Sequence, residues 1–153
     1  GSHDYLKLQA TDAKTDSSLS LPTSTTIVLD IMDTKLNGSS YNYISYLFAT
    51  LAGISKVGTY SGTGNDVNVD CGFTAGARFI WIKRTDATGD WYVYDSVRGI
   101  VSGNDPYLLT NTTAAEVTNT DYIDPLNAGF TVTSSAPADL NTSGGTYLFL
   151  AIA

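Results

Sequence analysis

The sequence has one cysteine, one histidine and one glutamate, and it carries few basic residues. One cysteine excludes an internal disulfide, and Cys71 reads as a small buried hydrophobe. The histidine is His3, and residues 1–4 read as an expression-tag remnant. No imidazole then remains for zinc ligation or for a Ser-His-Asp triad. Cys71 has no base beside it, so a thiol nucleophile is not expected. Eight Lys and Arg stand against 15 acidic residues, a net charge of −7. That balance disfavours nucleic acid and anionic membrane as partners, since both need basic patches. No apolar run approaches the roughly 20 residues of a membrane helix. No signal peptide is evident, as expected either of a trimmed sequence or of a protein that leaves its cell by lysis or as part of a particle.

Thr, Ser, Gly, Asn, Asp and Tyr fill the space those absences leave. Asp and Asn favour turns, and Thr and Tyr favour strands. A chain of 153 residues is long enough to bury a core without staples. Apolar runs of four to eight residues recur between turn clusters, which is the signature of strands. The candidates are Tyr5–Gln9, Thr26–Asp30, Ile44–Ala49, Lys56–Tyr60, Val67–Asp70, Ala77–Arg84, Trp91–Asp95, Phe130–Thr133 and Tyr147–Ile152. Ile44–Leu51 also reads as a short buried helix, and Thr113–Val117 allows a helical turn. Thr85–Asp90 contains Gly89 and forms a hairpin loop between two of the strands. Phe79-Ile80-Trp81-Ile82 is apolar on both strand faces, as is Tyr147–Ile152, which predicts strands covered on both sides.

The chain also echoes itself. Tyr5-Leu6, Thr11–Thr15, Thr26–Leu29, Leu36–Ser40 and Tyr46–Ala49 are followed 101 to 104 residues later by similar stretches in the same order. Those stretches are Tyr107-Leu108, Thr113–Val117, Gly129–Val132, Leu140–Gly144 and Tyr147–Phe149 with Ala151. Residues 5–52 are therefore expected to be the trailing half of one repeat, and 53–153 a complete following repeat. In such an array the first half covers sheet edges of the second.

The stretch Val57–Gly64, then Cys71-Gly72-Phe73-Thr74, leads to Phe79–Asp86 and Gly89–Asp95. With Thr113–Val117 and Asn141–Tyr147, it resembles an uncharacterised repeat family of virion-associated proteins of marine tailed bacteriophages. The resemblance covers about residues 41–153, and Ile82–Asp86 with Gly89-Asp90-Trp91 is its most specific part. Tyr94 departs from it, standing where Trp is frequent. The resemblance implies a location on the virion surface, in a tail or fibre, and implies no chemistry.

The hairpin supplies the candidate ligand site. Trp91 or Tyr92 is a stacking platform for a sugar ring, with Lys83, Asp86 and Asp90 around it. The same residues also read as a capped turn, an ion pair and a core Trp, the commoner fate of such groups. Asp66, Asp70, Asp86, Asp90, Asp95, Asp105, Asp121 and Asp124 raise Ca²⁺, but none fits the calcium-loop spacing and turn chemistry accounts for Asp equally. Asp90 with Asp95 is the local carboxylate pair to weigh for glycoside hydrolysis. Ser61–Asn65 lacks the ending of a phosphate loop. Asn37, Asn111 and Asn141 begin glycosylation-type triplets that turns explain.

The expectation is an antiparallel β-sandwich of jelly-roll type with Phe73, Phe79, Trp81, Trp91, Val93, Phe130, Leu148 and Leu150 in its core. The module is expected to be no enzyme, to need no cofactor or metal, and to neighbour like repeats, with homo-oligomers an open possibility. Adhesion to host surface glycan is the leading function. The alternatives are an architectural spacer and, third, a depolymerase fragment.

Overall fold

The computed structural model describes residues 3–17, 23, 25–28 and 38–153. Asp30, Leu36 and Asn37 fall outside them, so the strand expected at Thr26–Asp30 is only partly described; Thr26–Val28 carries no ladder. The strands are β1 (His3–Tyr5), β2 (Thr15–Ser17), β3 (Ser55–Ser61), β4 (Val67–Asp70) and β5 (Phe79–Arg84). They continue with β6 (Trp91–Asp95), β7 (Leu108-Leu109), β8 (Ile123–Leu126), β9 (Gly129–Val132) and β10 (Thr146–Ile152). A single turn of helix, α1 (Ala138–Asn141), precedes β10.

The protein is an all-β, antiparallel sandwich. One sheet has the order β3-β10-β5-β6-β7 and the other β4-β9-β8, while β1 pairs only with β2. The chain crosses between these sheets four times, from β3 to β4, β4 to β5, β7 to β8 and β9 to β10. Because β3 pairs with β10 and β4 with β9, the first and last crossings join neighbouring strands in both sheets. The last strand in sequence is thus central in space, hydrogen-bonded along β3 on one side and β5 on the other.

The core lies between the sheets and is largely aromatic. Ile80 and Ile82 face Tyr94 and Tyr92 across the β5–β6 pairs, and all four are buried. Tyr60 stacks on Tyr147 with centroids 4.8 Å apart, and Phe130 from the smaller sheet meets Phe149 edge-on at 5.4 Å. The phenols bring polar groups inside, and each needs a partner there. Tyr60 donates to Leu140 O at 2.7 Å and Tyr147 to Ala138 O at 2.7 Å, so both rings tie α1 down. Buried Asn141 completes the knot. Its Oδ1 accepts from Thr63 N (3.0 Å) and Gly64 N (3.3 Å), and its Nδ2 donates to Asn65 O (2.8 Å) and Thr133 O (2.9 Å).

Gly129 shows how tightly the smaller sheet closes. A Cβ there would lie 2.1 Å from Val69 O. Pro125 sits in β8, an edge strand, where its missing N–H costs no ladder bond.

The expected core needs correction at five positions. Phe73, Phe130 and Leu150 are buried, but Phe79, Trp81, Trp91, Val93 and Leu148 are only partly so. They project from the outward face of the five-stranded sheet, opposite to Ile80, Ile82 and Tyr92, because successive strand residues point to opposite faces. Among the described residues that side is met by the small β1–β2 sheet and its connecting loop, which leave it partly open. Ile44–Thr50 is neither strand nor helix, Thr113–Val117 contains no helical turn, and the one described helix is α1.

Candidate functional site

The outward face of the larger sheet is where side chains converge. Lys83 of β5 is paired with Trp91 of β6, and Trp81 with Leu150 of β10. Strand pairing therefore sets Trp81 and Trp91 diagonally on one face, with ring centroids 5.1 Å apart and planes tilted by 45°. Both indole N–H groups are spoken for. Trp81 Nε1 donates to Thr110 Oγ1 (3.3 Å) and Trp91 Nε1 to Lys7 O (3.0 Å). What the pair offers a ligand is ring surface.

Two adjoining depressions share Trp91 and Leu148. The first, about 270 Å³, is apolar and is lined by Phe48, Val57, Trp81, Trp91, Leu148 and Leu150. The second, about 670 Å³, lies between the β1–β2 hairpin and the sheet, and its rim adds Asp4, Lys14, Thr59, Ser61, Thr85 and Thr146. Lys14 is ion-paired with Asp4 on this rim, and that contact raises the lysine pKa. Thr85 Oγ1 lies 2.8 Å from Thr146 Oγ1 and donates to Thr146 O at 3.0 Å. Together they form an apolar floor with a polar edge, within the size range of small-ligand clefts.

The structure disperses the residues singled out in the sequence. Trp91 stands in the groove. Tyr92, the next residue, points into the core beside Tyr94 and Tyr107, and burial pushes its phenol far above the usual range. Tyr92 is therefore no platform, a consequence of strand alternation alone. Lys83 is fully buried, its Nζ donating to Thr11 O (3.2 Å) and Arg84 O (2.7 Å). Burial lowers its pKa, against the opposing pull of Asp139, Asp12 and Asp90. Its ammonium clamps the segment after β1 to the sheet and has no reach into the groove.

Asp86 is held by Arg84, with Nε to Oδ1 at 3.1 Å and Nη2 to Oδ2 at 3.0 Å, and Thr146 N donates to it at 3.0 Å. That hydrogen bonding brings its pKa down to about 2. Asp90 accepts from Asn111 Nδ2 at 2.8 Å, and it lines a separate polar hollow of about 200 Å³ with Thr11, Thr88 and Asp139. Asp95 is at the far end of β6 from Asp90. It caps the turn at Val97 and Arg98 and pairs with the Arg98 guanidinium. A strand rises about 3.3 Å per residue. The two carboxylates thus stand too far apart for the pair geometry of a glycosidase.

Other aspartates also serve turns. Asp66 accepts from Ser134 N and Asp70 from Gly72 N. Fully buried Asp105 accepts from Tyr122 N and Ile123 N, both at 2.9 Å, and burial raises its pKa to about 6. Among the described residues no group of three His, Cys, Asp or Glu is arranged to hold a metal ion. The Cys71 thiol is buried and pushed up to about 11, chiefly by desolvation.

Sequence reasoning missed Trp81, Leu148 and Leu150 as groove residues by assigning them to the core, and it did not single out Val57 or Phe48. The one available signal was that Phe79-Ile80-Trp81-Ile82 is apolar on both faces, which leaves open whether the second face is covered.

No curated protein and no solved structure matches the chain. A family model does match, over residues 1–153, and the chain belongs to that family, described as Domain of unknown function (DUF7483).

Proposed function

We propose that this protein is a non-catalytic structural and adhesion module of a phage tail or fibre protein. Its groove around Trp81 and Trp91 takes host cell-surface glycan, on the virion surface. The observation that carries the reading is the tryptophan pair, presented ring-outward on a rigid sheet, between an apolar floor and a rim of hydroxyls and one ion pair. A sugar ring offers a C–H face that stacks on aromatic rings and hydroxyls that seek hydrogen bonds. Thr59, Ser61, Thr85 and Thr146 meet the second beside Trp91.

In this reading the ligand site lies beside the Asp-rich hairpin, at Thr85 and Trp91, and not at its tip. Asp86 and Lys83 act as braces of the site, and Asp90 lies outside it. Among the described residues no helix is long and apolar enough to cross a membrane.

The architectural alternative draws on a different observation, the exposed apolar residues between Tyr41 and Ile54. The two readings part experimentally. On an array of bacterial polysaccharides the adhesion reading expects binding that Trp91→Ala or Trp81→Ala weakens several-fold, up to about tenfold, roughly the energy of one stacked ring. Asp90→Ala leaves that binding intact. Retention of full affinity in both tryptophan variants, with each still folded, overturns the groove; absence of any bound glycan moves the assignment to the spacer.

A further inference from the structure

The outward face of the larger sheet is graded in polarity along its strands, and the register sets the grade. In one row across the sheet Val57 stands beside Leu150, Leu150 beside Trp81, and Trp81 beside Val93. The next outward row, two residues on, is Thr59, Leu148, Lys83 and Trp91. Beyond it Ser61 is paired with Thr146, whose hydroxyl lies 2.8 Å from that of Thr85. The rows therefore pass from wholly apolar, through mixed, to hydroxylated. Lys83 brings no charge to the middle row, because its ammonium is spent on Thr11 O and Arg84 O.

The two depressions follow this grade. The smaller lies over the apolar row, and Trp81 and Trp91 are the only residues lining it with a polar side-chain atom. Both indole N–H groups donate elsewhere, to Thr110 and Lys7. A bare sugar ring seated there would bury hydroxyls against side chains that return no hydrogen bond, which is costly. A methyl group in the same place gains by leaving water. The larger depression has the opposite character, with Thr59, Ser61, Thr85 and Thr146 on its rim. Because both share Trp91 and Leu148, one sugar chain lying on Trp91 reaches the two together.

We propose that the glycan taken by this groove is a substituted one. A sugar residue carrying a methyl-ended group, as a 6-deoxyhexose or an O-acetyl ester does, seats that group in the apolar depression. The unmodified hydroxyls of the adjoining residue face the threonines and Ser61. Val57, Leu150 and Trp81 then determine specificity for the substituent, and Trp91 is the platform common to both residues. This inference rests on the glycan reading and adds the chemical class of the sugar.

The test is calorimetric titration of the full chain with matched pairs of probes. One set is neutral bacterial polysaccharide fragments before and after mild base removes their O-acetyl esters. The other is 6-deoxyhexose oligosaccharides against the parent hexose oligosaccharides of the same linkage. In at least one set the substituted member is expected to bind about fivefold or more tightly than its bare partner, and that set identifies the source of the methyl. Val57→Phe fills the apolar depression from an edge strand. It is expected to abolish the preference while leaving the affinity for the bare sugar within about twofold. Thr85→Val is expected to weaken both members alike and so to keep the preference. Equal affinities within both sets, with binding still lost in Trp91→Ala, overturn the substituent and leave the glycan reading standing. A preference that survives Val57→Phe, in a chain whose Tm is unchanged, also overturns it. Binding of none of the probes overturns both.

Discussion

The two faces of the five-stranded sheet are almost equally apolar in sequence, yet one is a core and the other a surface. Ile80, Ile82, Tyr92, Tyr94 and Phe149 look inward and are buried; Phe79, Trp81, Trp91, Val93 and Leu148 alternate with them and stay partly exposed. The strands do not differ. What differs is the neighbour, since β4-β9-β8 presses on one side while, among the described residues, Phe48 and the β1–β2 hairpin with its loop lean on parts of the other. Apolar residues on both faces therefore signal a strand with two uses for greasy surface, one of which can be recognition.

Substitutions sharpen the contrast. The largest loss is expected inside, where Phe149→Ala would remove a ring packed against Tyr60 and Phe130 and cost about 3–5 kcal/mol in urea denaturation. Gly129→Ala follows, at about 1–3 kcal/mol or more, since the added methyl meets Val69 O and β4 must move. On the outer face Val93→Ala should cost about 1 kcal/mol or less, because the removed methyls are already partly in water. Equal costs for Phe149→Ala and Val93→Ala would erase the distinction between the faces.

The pH dependence gives a subtler comparison, between a buried carboxylate and a braced surface one. The folded-state pKa of Asp105 is raised by burial to about 6, so it stabilises the fold most when protonated. Its contribution is complete below about pH 4, and it is lost as pH rises towards 6. Asp86 has the opposite sign. Its pKa is held down to about 2 by Arg84, so its contribution is present above about pH 4 and is lost as pH falls towards 2. Asp105→Asn is expected to flatten the stability curve between pH 4 and 6, and Asp86→Asn to flatten it below pH 4. Thermal melts across pH 2–7 check both, and a curve unchanged by Asp105→Asn would remove burial as the cause.

Much of the fold was legible. β4 and β6 have the bounds their apolar runs suggested, and the Thr85–Asp90 hairpin joins β5 to β6 as expected. These segments were readable because Gly, Asn and Asp punctuate them on both sides. α1 was missed because it is a single turn held by Tyr60 and Tyr147 from distant strands, a tertiary cause with no local periodicity. β8 was missed because Pro125 argues against a strand until its edge position is known.

The candidate groove was half legible. Trp91 lines it, and Lys83 and Asp86 lie at the hairpin end of the strands, but their partners are set by pairing across the sheet. Lys83 is sealed by Thr11, 72 residues away in sequence, and no spacing rule reports that. Tyr92 could have been separated from Trp91 by strand alternation alone. Ile82 and Ile80 stand across from Tyr92 and Tyr94, and that register marks the inward set.

The central claim is that the outward face, through its tryptophan pair, is the working surface. The chain has only two tryptophans, both on that face, so their indole N–H signals form a reporter with no background. In a nuclear magnetic resonance titration with a polysaccharide that binds, the Trp81 and Trp91 indole signals should both shift and saturate together while the methyls of Ile80 and Ile82 hold still. Shifts confined to other residues, with both indole signals fixed at saturation, would contradict the account.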